Sequence, residues 1–396
     1  MILSVFFVAP GFYHPKGVIK LQNSLNSAVT NSHELSTYER AMLRANELSL
    51  QGLGYTAPNP IVGAVILNHA GVEIASGFHA GGFHAGGDHA EIVAINQALQ
   101  MGLTDFSEFT LVVTLEPCNH HGKTPPCTDS IIRAGFKRVI FAVSDPNEIA
   151  AGGAAKLRAA NIEVVSGVQS ALVSYSNRAW LHKARNSRPW ILTKIAATID
   201  GKIAALDATS KWITSEDSRA DVAKLRFQSD AILTSTATVL ADDSHLIPRD
   251  VLKLENIIKK ANPVRIVVGK RALPSNSKIL DDAAETVLMK THDFSELIDL
   301  AKNRGWNQVL VEAGAELNSA LLQAELIDEL VIYMAPTMLG SGKNLIGDLG
   351  ISTLADRKDF SFGKVDRLGR DLRIQLLAKD FEYLSGFENQ QIWDRG

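Results

Sequence analysis

The first half of the chain carries short apolar runs separated by amphipathic stretches. Over residues 39–53 the apolar positions recur at helical spacing and the run ends in glycines, which predicts an amphipathic helix. A turn at 57–60 and an apolar strand at 61–67 are expected to follow. Further apolar or β-branched runs predict strands at 110–115, 138–143 and 162–165.

Two more helices are predicted between these strands from their end signals. Asp88 is suited to cap a helix over residues 89–101. Pro125 and Pro126 suit the first turn of another helix, which reaches Gly135. Because strands alternate with helices, the pattern predicts an α/β layer with largely parallel pairing.

A second α/β unit is predicted to begin near Pro189, with helices at 216–227 and 316–325. Its apolar runs predict strands at 190–196, 231–234, 264–268, 308–312 and 330–334. Residues 170–188 are polar and show no strong strand pattern, so we place the boundary between the units near residue 186. The chain then divides into an extension (1–36), a first unit (37–186) and a second unit (187–396).

Composition narrows the class of protein. The chain has 396 residues, 46% hydrophobic and 21% charged, which is typical of a folded soluble protein of two or three domains. The formal net charge of −3 gives no electrostatic case for nucleic acid or a membrane surface as a partner. No positive charge precedes the apolar residues 1–12, as a secretory signal would require. Because the chain has only two cysteines, a reducing cytoplasm is the simpler setting, and we expect a cytoplasmic protein.

The two cysteines, Cys118 and Cys127, are too few for a disulfide framework and become candidates for a metal or catalytic site. A catalytic zinc needs three protein ligands and one open position for water. One imidazole, from His89, and the two thiolates supply that set. Glu91 follows the histidine by two residues, is not needed as a ligand, and can move protons between the attacking water and a substrate amine.

This arrangement follows the zinc deaminases, whose signature is H-x-E followed by P-C-x-x-C. The chain has the H-x-E and the P-C, but eight residues rather than two separate its cysteines. That longer segment, TLEPCNHHGKTPPC at 114–127, resembles the RibD family of riboflavin biosynthesis deaminase–reductases. So do Pro58-Asn59-Pro60-Ile-Val-Gly63 and His89-Ala-Glu91, and the resemblance runs from about residue 37 to about 380.

The resemblance implies one zinc ion per chain on His89, Cys118 and Cys127, with Glu91 as proton shuttle. It implies that the substrate's base, ribose or phosphate contacts Asn59, His120, Lys123 and Thr124. A family Gly-x-His element has two candidates here, because a five-residue loop duplication presents both His79 and His84. We favour His79, because Gly77-Phe78-His79 lies at the end of a predicted strand, as the Gly-x-His element of the family does.

The second unit carries no G-x-G-x-x-G after a strand, so spacing alone gives an α/β domain of unknown ligand. The segments 194–201, 210–214, 230–243 and 310–314 resemble the reductase domain of the same family. That domain is similar to dihydrofolate reductase and uses NADPH. The implied fold is a cytidine-deaminase-like α/β/α domain followed by a dihydrofolate-reductase-like α/β domain.

Carried over by position, the resemblance also assigns residues around the second site. Those expected to border the substrate are Lys194, Ser210, Arg226, Leu246, Arg249 and Glu312. Those expected to border NADPH are Ala196, Trp212, Thr238, Asp242, Gly314, Ala315, Glu316, Leu317, Asn318, Ser319 and Ala320. Arg226 and Arg249 would suit a phosphate clamp, and we add the hypothesis that Lys270 or Arg271 helps to bind the 2′-phosphate of NADPH.

The expected function is zinc-dependent hydrolytic deamination of 2,5-diamino-6-(5-phosphoribosylamino)pyrimidin-4-one, followed by NADPH-dependent reduction of the product's ribosyl group to ribityl. A homo-oligomer acting on this small molecule is expected. Three alternatives stay open at this point. They are a deaminase of nucleic acid bases, a non-enzymatic zinc module, and a deaminase whose second unit has become a dimerisation domain.

Overall fold

The structure is a computed structural model that describes residues 35–81, 87–120, 125–147, 151–248 and 261–378. Within those ranges the chain forms one sheet of five strands, one of eight strands and a two-stranded ribbon. Each large sheet carries helices on both faces and has its own hydrophobic core. In the described part of the chain, no helix combines the length and apolarity that crossing a bilayer requires.

The five-stranded sheet has the order β2-β1-β3-β4-β5. Its strands are β1 (Gly63–Leu67), β2 (Glu73–Phe78), β3 (Thr110–Leu115), β4 (Arg138–Val143) and β5 (Glu163–Ser166). The prediction of largely parallel pairing was wrong for half of this sheet, because β1 runs antiparallel to both β2 and β3. The short β1–β2 connection allows only an antiparallel pair, whereas β3, β4 and β5 are joined by helical crossovers and are parallel.

Among the described residues, six helices cover the five-stranded sheet. They are α1 (Thr37–Leu50), α2 (Ala90–Gln100), α3 (Cys127–Ala134), α4 (Gly153–Ala159), α5 (Ser170–Ser176) and α6 (Arg178–Asn186). One core cluster joins α2, α3 and α4 to one face of the sheet, and a second joins α1, α5 and α6 to the other. Ser36 and Glu39 form a capping box that begins α1.

The eight-stranded sheet has the order β10-β9-β8-β11-β6-β12-β15-β14, and its first six strands are parallel. The strands are β6 (Trp190–Thr198), β8 (Ala231–Ser235), β9 (Val264–Val268), β10 (Thr286–Met289), β11 (Gln308–Val311), β12 (Glu329–Ala335), β14 (Phe360–Leu368) and β15 (Asp371–Ala378). The ribbon pairs β7 (Lys202–Ala204) with β13 (Lys343–Asn344). The helices are α7 (Glu216–Gln228), α8 (Thr236–Asp242), α9 (Phe294–Arg304) and α10 (Ala315–Gln323).

Three local expectations change in the structure. His89, not Asp88, is the N-cap residue of α2, because its extended backbone precedes the first helical residue. Pro126 is likewise the N-cap of α3, which therefore begins at Cys127. The polar stretch 170–188 forms the two helices α5 and α6, which bury Val173 and Leu181 against the sheet.

Candidate active sites

Three elements of the first unit bring His89, Cys118 and Cys127 together. His89 precedes α2, Cys118 follows β3, and Cys127 is the first residue of α3. The His89 Nδ1 atom lies 3.5 Å from the Cys118 Sγ and 3.2 Å from the Cys127 Sγ. All three potential ligand atoms lie within 4.8 Å of one another. One imidazole and two sulfurs at this spacing can share one metal ion.

The backbone around Cys118 holds the two sulfurs in place. The amide N–H of Cys127 points at the Cys118 Sγ at 3.4 Å, and the amide N–H of Thr128 donates to the Cys118 carbonyl at 3.3 Å. Gly153 packs against the Pro117 carbonyl so closely that a Cβ at this position would overlap that oxygen. The first residue of α4 is therefore in close contact with Pro117, the residue that precedes Cys118.

The charges of the cluster match a cation-binding role. A hydrogen bond with Cys127 lowers the pKa of Cys118 well below its usual range, which favours the thiolate form of this sulfur. The hydrogen bond with that sulfur raises the pKa of His89 to about 9. The same shared proton and burial raise the pKa of Cys127. A metal ion would replace these shared protons, because metal ligands are the deprotonated forms.

Glu91 lies in the first turn of α2 beside the cluster and is only 3% exposed. Burial raises the pKa of its carboxyl, and the nearby positive charge of His89 opposes that effect. A carboxyl group in such surroundings can both accept and return a proton. Glu91 is thus placed for proton transfer at the same point where the three ligand atoms converge.

A cavity of about 760 Å³ opens beside the cluster and is lined by both His89 and Glu91. Three of the predicted substrate residues, Asn59, His79 and His120, line it as well. The His79 Nδ1 lies 3.0 Å from the Asp88 carbonyl oxygen, and burial lowers the pKa of this imidazole. The His120 Nδ1 is buried and has no hydrogen-bond partner among the described residues.

Several residues of this cavity were missed from the sequence. Glu116, inside the motif at 114–127, accepts hydrogen bonds from the amide N–H groups of Asp145 (3.3 Å) and Ala154 (2.9 Å), and Asp145 lines the cavity as well. Trp180 and Lys183 lie three residues apart on α6 and also line the cavity. The apolar residues within the polar stretch 178–186 were the available signal for this helix.

Some predicted site residues lie outside the described residues. They are His84, Lys123, Thr124 and Arg249. The choice of His79 over His84 and the second arm of the expected phosphate clamp therefore stay predictions.

The second unit brings Lys194, Arg226 and Glu312 together at the carboxyl edge of its parallel strands. Arg226 donates two hydrogen bonds to the Glu312 carboxylate, at 2.5 and 3.0 Å, and the Lys194 ammonium lies 3.2 Å from it. Burial alone would raise the pKa of Glu312, but the two cations outweigh it and hold the pKa at about 2. The guanidinium of Arg226 is thus occupied by Glu312 and also donates to the Ile247 carbonyl.

Other predicted residues of the second unit have contacts of their own. The Ser210 hydroxyl donates to the Asp242 carboxylate at 3.4 Å. Trp212 is 70% exposed, and the Arg219 guanidinium lies over its ring at 4.7 Å from the centroid. The remaining predicted residues are Ala196 on β6, Thr238 at the start of α8 and Leu246 in the loop that follows.

Gly314 is the N-cap of α10 and follows β11, as the sequence suggested. Open space surrounds the position where a Cβ would lie on Gly314. Leu317, Asn318 and Ser319 are buried, so this helix can offer a ligand mainly the backbone amides of its first turn. Lys270 is exposed just after β9.

Comparisons with protein families match each unit separately. Residues 35–143 match the cytidine and deoxycytidylate deaminase zinc-binding region, and residues 189–374 match the RibD C-terminal domain. Curated relatives match nearly the whole chain. The riboflavin biosynthesis protein RibD of Mycobacterium tuberculosis is 41% identical over 88% of this chain and 100% of its own length. The protein of the same name from Escherichia coli is 36% identical over 86% and 99%.

Solved structures give the same result. Acinetobacter baumannii RibD superimposes with a TM-score of 0.78 at 35% identity, covering 88% of this chain and all of the other. A Thermotoga maritima protein described as a diaminohydroxyphosphoribosylaminopyrimidine deaminase and 5-amino-6-(5-phosphoribosylamino)uracil reductase also gives a TM-score of 0.78. The two sequences are 31% identical, and the superposition covers 86% of this chain and 99% of the Thermotoga maritima chain.

Proposed function

We infer the function from the family, because this chain belongs to the RibD family of bifunctional riboflavin biosynthesis enzymes. It is a zinc-dependent deaminase joined to an NADPH-dependent reductase. We assign it the substrates in the name of the Thermotoga maritima relative, a diaminopyrimidinone that carries a phosphoribosylamino group and then the corresponding 5-aminouracil.

The deamination is assigned to the cluster in the first unit. His89, Cys118 and Cys127 would hold Zn²⁺, which when bound supplies Lewis-acid activation of water. Glu91 takes a proton from the attacking water and delivers it to the departing 2-amino nitrogen. A C–O bond forms at that ring carbon, its C–N bond breaks, and ammonia leaves. Asn59, His79 and His120 are proposed to orient the pyrimidine in the cavity, with Lys123 and Thr124 on the ribose phosphate.

The reduction is assigned to the carboxyl edge of the eight-stranded sheet. NADPH, when bound, supplies the hydride that converts the ribosyl group to ribityl at C1′. The first-turn backbone amides of α10, which have no partner within the helix, suit its pyrophosphate. Lys194, Arg226 and Glu312 are proposed to face the substrate. In this role Arg226 binds phosphate only if it exchanges part of its pairing with Glu312.

The observation that carries this proposal is the convergence of three ligand atoms and a buried carboxyl on one cavity. The test measures zinc content, ammonia release and NADPH oxidation on the diaminopyrimidinone substrate. We expect one zinc per chain, ammonia release that stops when zinc is chelated, and NADPH oxidation that survives chelation if the deaminated product is supplied. Ammonia release that is indifferent to zinc removal would refute the assignment.

Three further features belong to the same proposal. We place the boundary between the two domains at residues 186 and 187, between α6 and β6. We propose a cytoplasmic enzyme, supported by two reduced cysteines that both lie in the metal cluster. We also propose a homo-oligomer acting on a small molecule rather than nucleic acid or membrane. Exposed apolar side chains on the edge hairpin β14–β15, such as Phe362 at 66% exposed, support an assembly.

A further inference from the structure

The turn that carries Asn59 is held by hydrogen bonds to its backbone rather than to its side chains. The Pro58 carbonyl accepts a hydrogen bond from the Lys183 Nζ at 3.0 Å. The Asn59 carbonyl accepts one from the Asn307 Nδ2 at 3.2 Å. Lys183 belongs to α6 of the first unit, but Asn307 belongs to the turn that precedes β11 in the second. A wall of the deaminase cavity is therefore fixed in part by the reductase unit.

Lys183 joins the two units at this point. Its ammonium group donates to the Pro58 carbonyl and, also at 3.0 Å, to the carbonyl of Gly305. Burial lowers the pKa of Lys183 to about 8, and the charge of Asp230 partly opposes that effect. Two of the three donors of this ammonium are thus used on carbonyl oxygens from different units.

The turn at 305–307, which supplies two of these contacts, is itself held in place by hydrogen bonds within the second unit. Gly305 ends α9 in a left-handed conformation, with φ of 69°, and the Cβ that a larger residue would carry there would approach the Pro58 ring to 3.2 Å. The amide N–H groups of Asn307 and Gln308 both donate to the Asp230 carboxylate, at 2.7 and 3.0 Å. The turn is thereby tied to the strand edge of the eight-stranded sheet.

A second contact lies along the same segment. The rings of Tyr55 and Phe227 meet edge to face with centroids 5.2 Å apart. A Cβ on Gly54 would come within 3.3 Å of the Phe227 ring. Residues 54–59 therefore rest on two elements of the second unit, the end of α7 and the turn before β11.

We propose that Lys183 and Asn307 are positioning residues for deamination, which hold the Pro58–Asn59 turn against the cavity so that the second unit completes the deaminase site. The proposal rests on the deaminase function assigned above. Neither side chain is required to touch the reacting atoms. A turn that binds substrate equally in the ground state and the transition state affects KM and leaves kcat nearly unchanged.

The test compares deaminase and reductase kinetics in the full-length, zinc-loaded enzyme. We expect Lys183→Met to raise the KM for the diaminopyrimidinone about tenfold and to change kcat less than about twofold, because two carbonyls lose a charged donor. Asn307→Ala, in the reductase half, should raise the same KM about threefold through one lost neutral hydrogen bond. Lys183→Arg, which can still donate to both carbonyls, should remain within about twofold of wild type.

Two controls separate positioning from general loosening. Tyr175→Phe removes a different hydrogen bond between the units, from the Tyr175 hydroxyl to the Gln375 side chain at 2.6 Å, and should leave the deaminase KM unchanged. Reduction of the supplied deaminated product should be unaffected in every variant, which also reports that the chain is folded.

Three results would overturn the proposal. They are an unchanged deaminase KM in Lys183→Met, a loss of reductase activity that parallels the loss of deamination, and a rise in KM for Tyr175→Phe equal to that for Lys183→Met. A wild-type enzyme that released no ammonia when loaded with zinc would instead refute the deaminase function itself and, with it, this proposal.

Discussion

Replacing Glu312 with glutamine removes the negative charge that lies between two half-buried cations of the second unit. The side chain of Glu312 is 6% exposed, and those of Lys194 and Arg226 are 19% and 21% exposed. Because the variant keeps the shape of the side chain, its main effect is the loss of the carboxylate charge. The two cations are then left to repel each other with little solvent between them.

The size of the effect follows from proton linkage. Folding lowers the pKa of Glu312 from 4.5 to about 2 against the penalty of burial, so the unfolded chain binds the proton more tightly. Since each factor of ten in proton affinity is worth about 1.4 kcal/mol, the charged carboxylate stabilises the fold by about 3 kcal/mol. This stabilisation is complete above about pH 5, falls to roughly half by pH 3, and is lost as the pH approaches 2.

The assay is urea unfolding followed by tryptophan fluorescence, for wild type and Glu312→Gln, between pH 7 and pH 3.5. We expect the variant to be about 3 kcal/mol less stable at pH 7 and the difference to shrink toward low pH. The matched control is Glu285→Gln, because Glu285 also forms two hydrogen bonds with an arginine, Arg304, but both side chains are nearly half exposed. Its loss should be much smaller, because solvent screens the pair.

Two results would refute this reasoning. One is a Glu312→Gln variant as stable as wild type at pH 7, which would mean that the cations gain nothing from the carboxylate. The other is a stability difference that does not change with pH, which would assign the loss to packing rather than charge.

Three further predictions concern the two active sites. Glu91→Gln should lower the rate of deamination, measured as ammonia release, by about 10²–10⁴-fold, while reduction of the deaminated product, measured as NADPH oxidation, continues. Full deamination in this variant would exclude Glu91 as the proton carrier. Gly153→Ala should weaken zinc binding, measured by competition with a chelator, because the added Cβ displaces Pro117 and with it the neighbouring thiolate; wild-type affinity would contradict the packing argument. The double variant Lys270→Ala with Arg271→Ala should reduce the preference for NADPH over NADH, and an unchanged ratio of the two KM values would remove these residues from the 2′-phosphate site.

The sequence was most informative where function depends on local spacing. His89 and Glu91 are two residues apart, and Cys118 and Cys127 lie within one short motif, so the sequence pattern alone indicated a metal site. The structure places the potential ligand atoms of His89, Cys118 and Cys127 within 4.8 Å of one another. Strand and helix positions followed for the same reason, since apolar periodicity is a local property.

The sequence was least informative where the partners are far apart in the chain. Arg226 suits a phosphate by its chemistry, but its bidentate partner Glu312 is 86 residues away and could not be predicted from spacing. Lys183 contacts the Pro58 carbonyl across 125 residues, and the stretch that contains it gives no strand signal. The antiparallel placement of β1 was also missed, because periodicity identifies a strand but not its neighbour.

The central claim is that one zinc ion is bound by an imidazole and two sulfurs beside a buried carboxyl. X-ray absorption at the zinc edge of the purified enzyme tests it most directly, because the spectrum distinguishes sulfur from nitrogen and oxygen among the atoms bonded to the metal. We predict two sulfur ligands and at least one imidazole nitrogen in the wild type, and one sulfur fewer in Cys127→Ser. A zinc environment of oxygen and nitrogen alone would contradict the account.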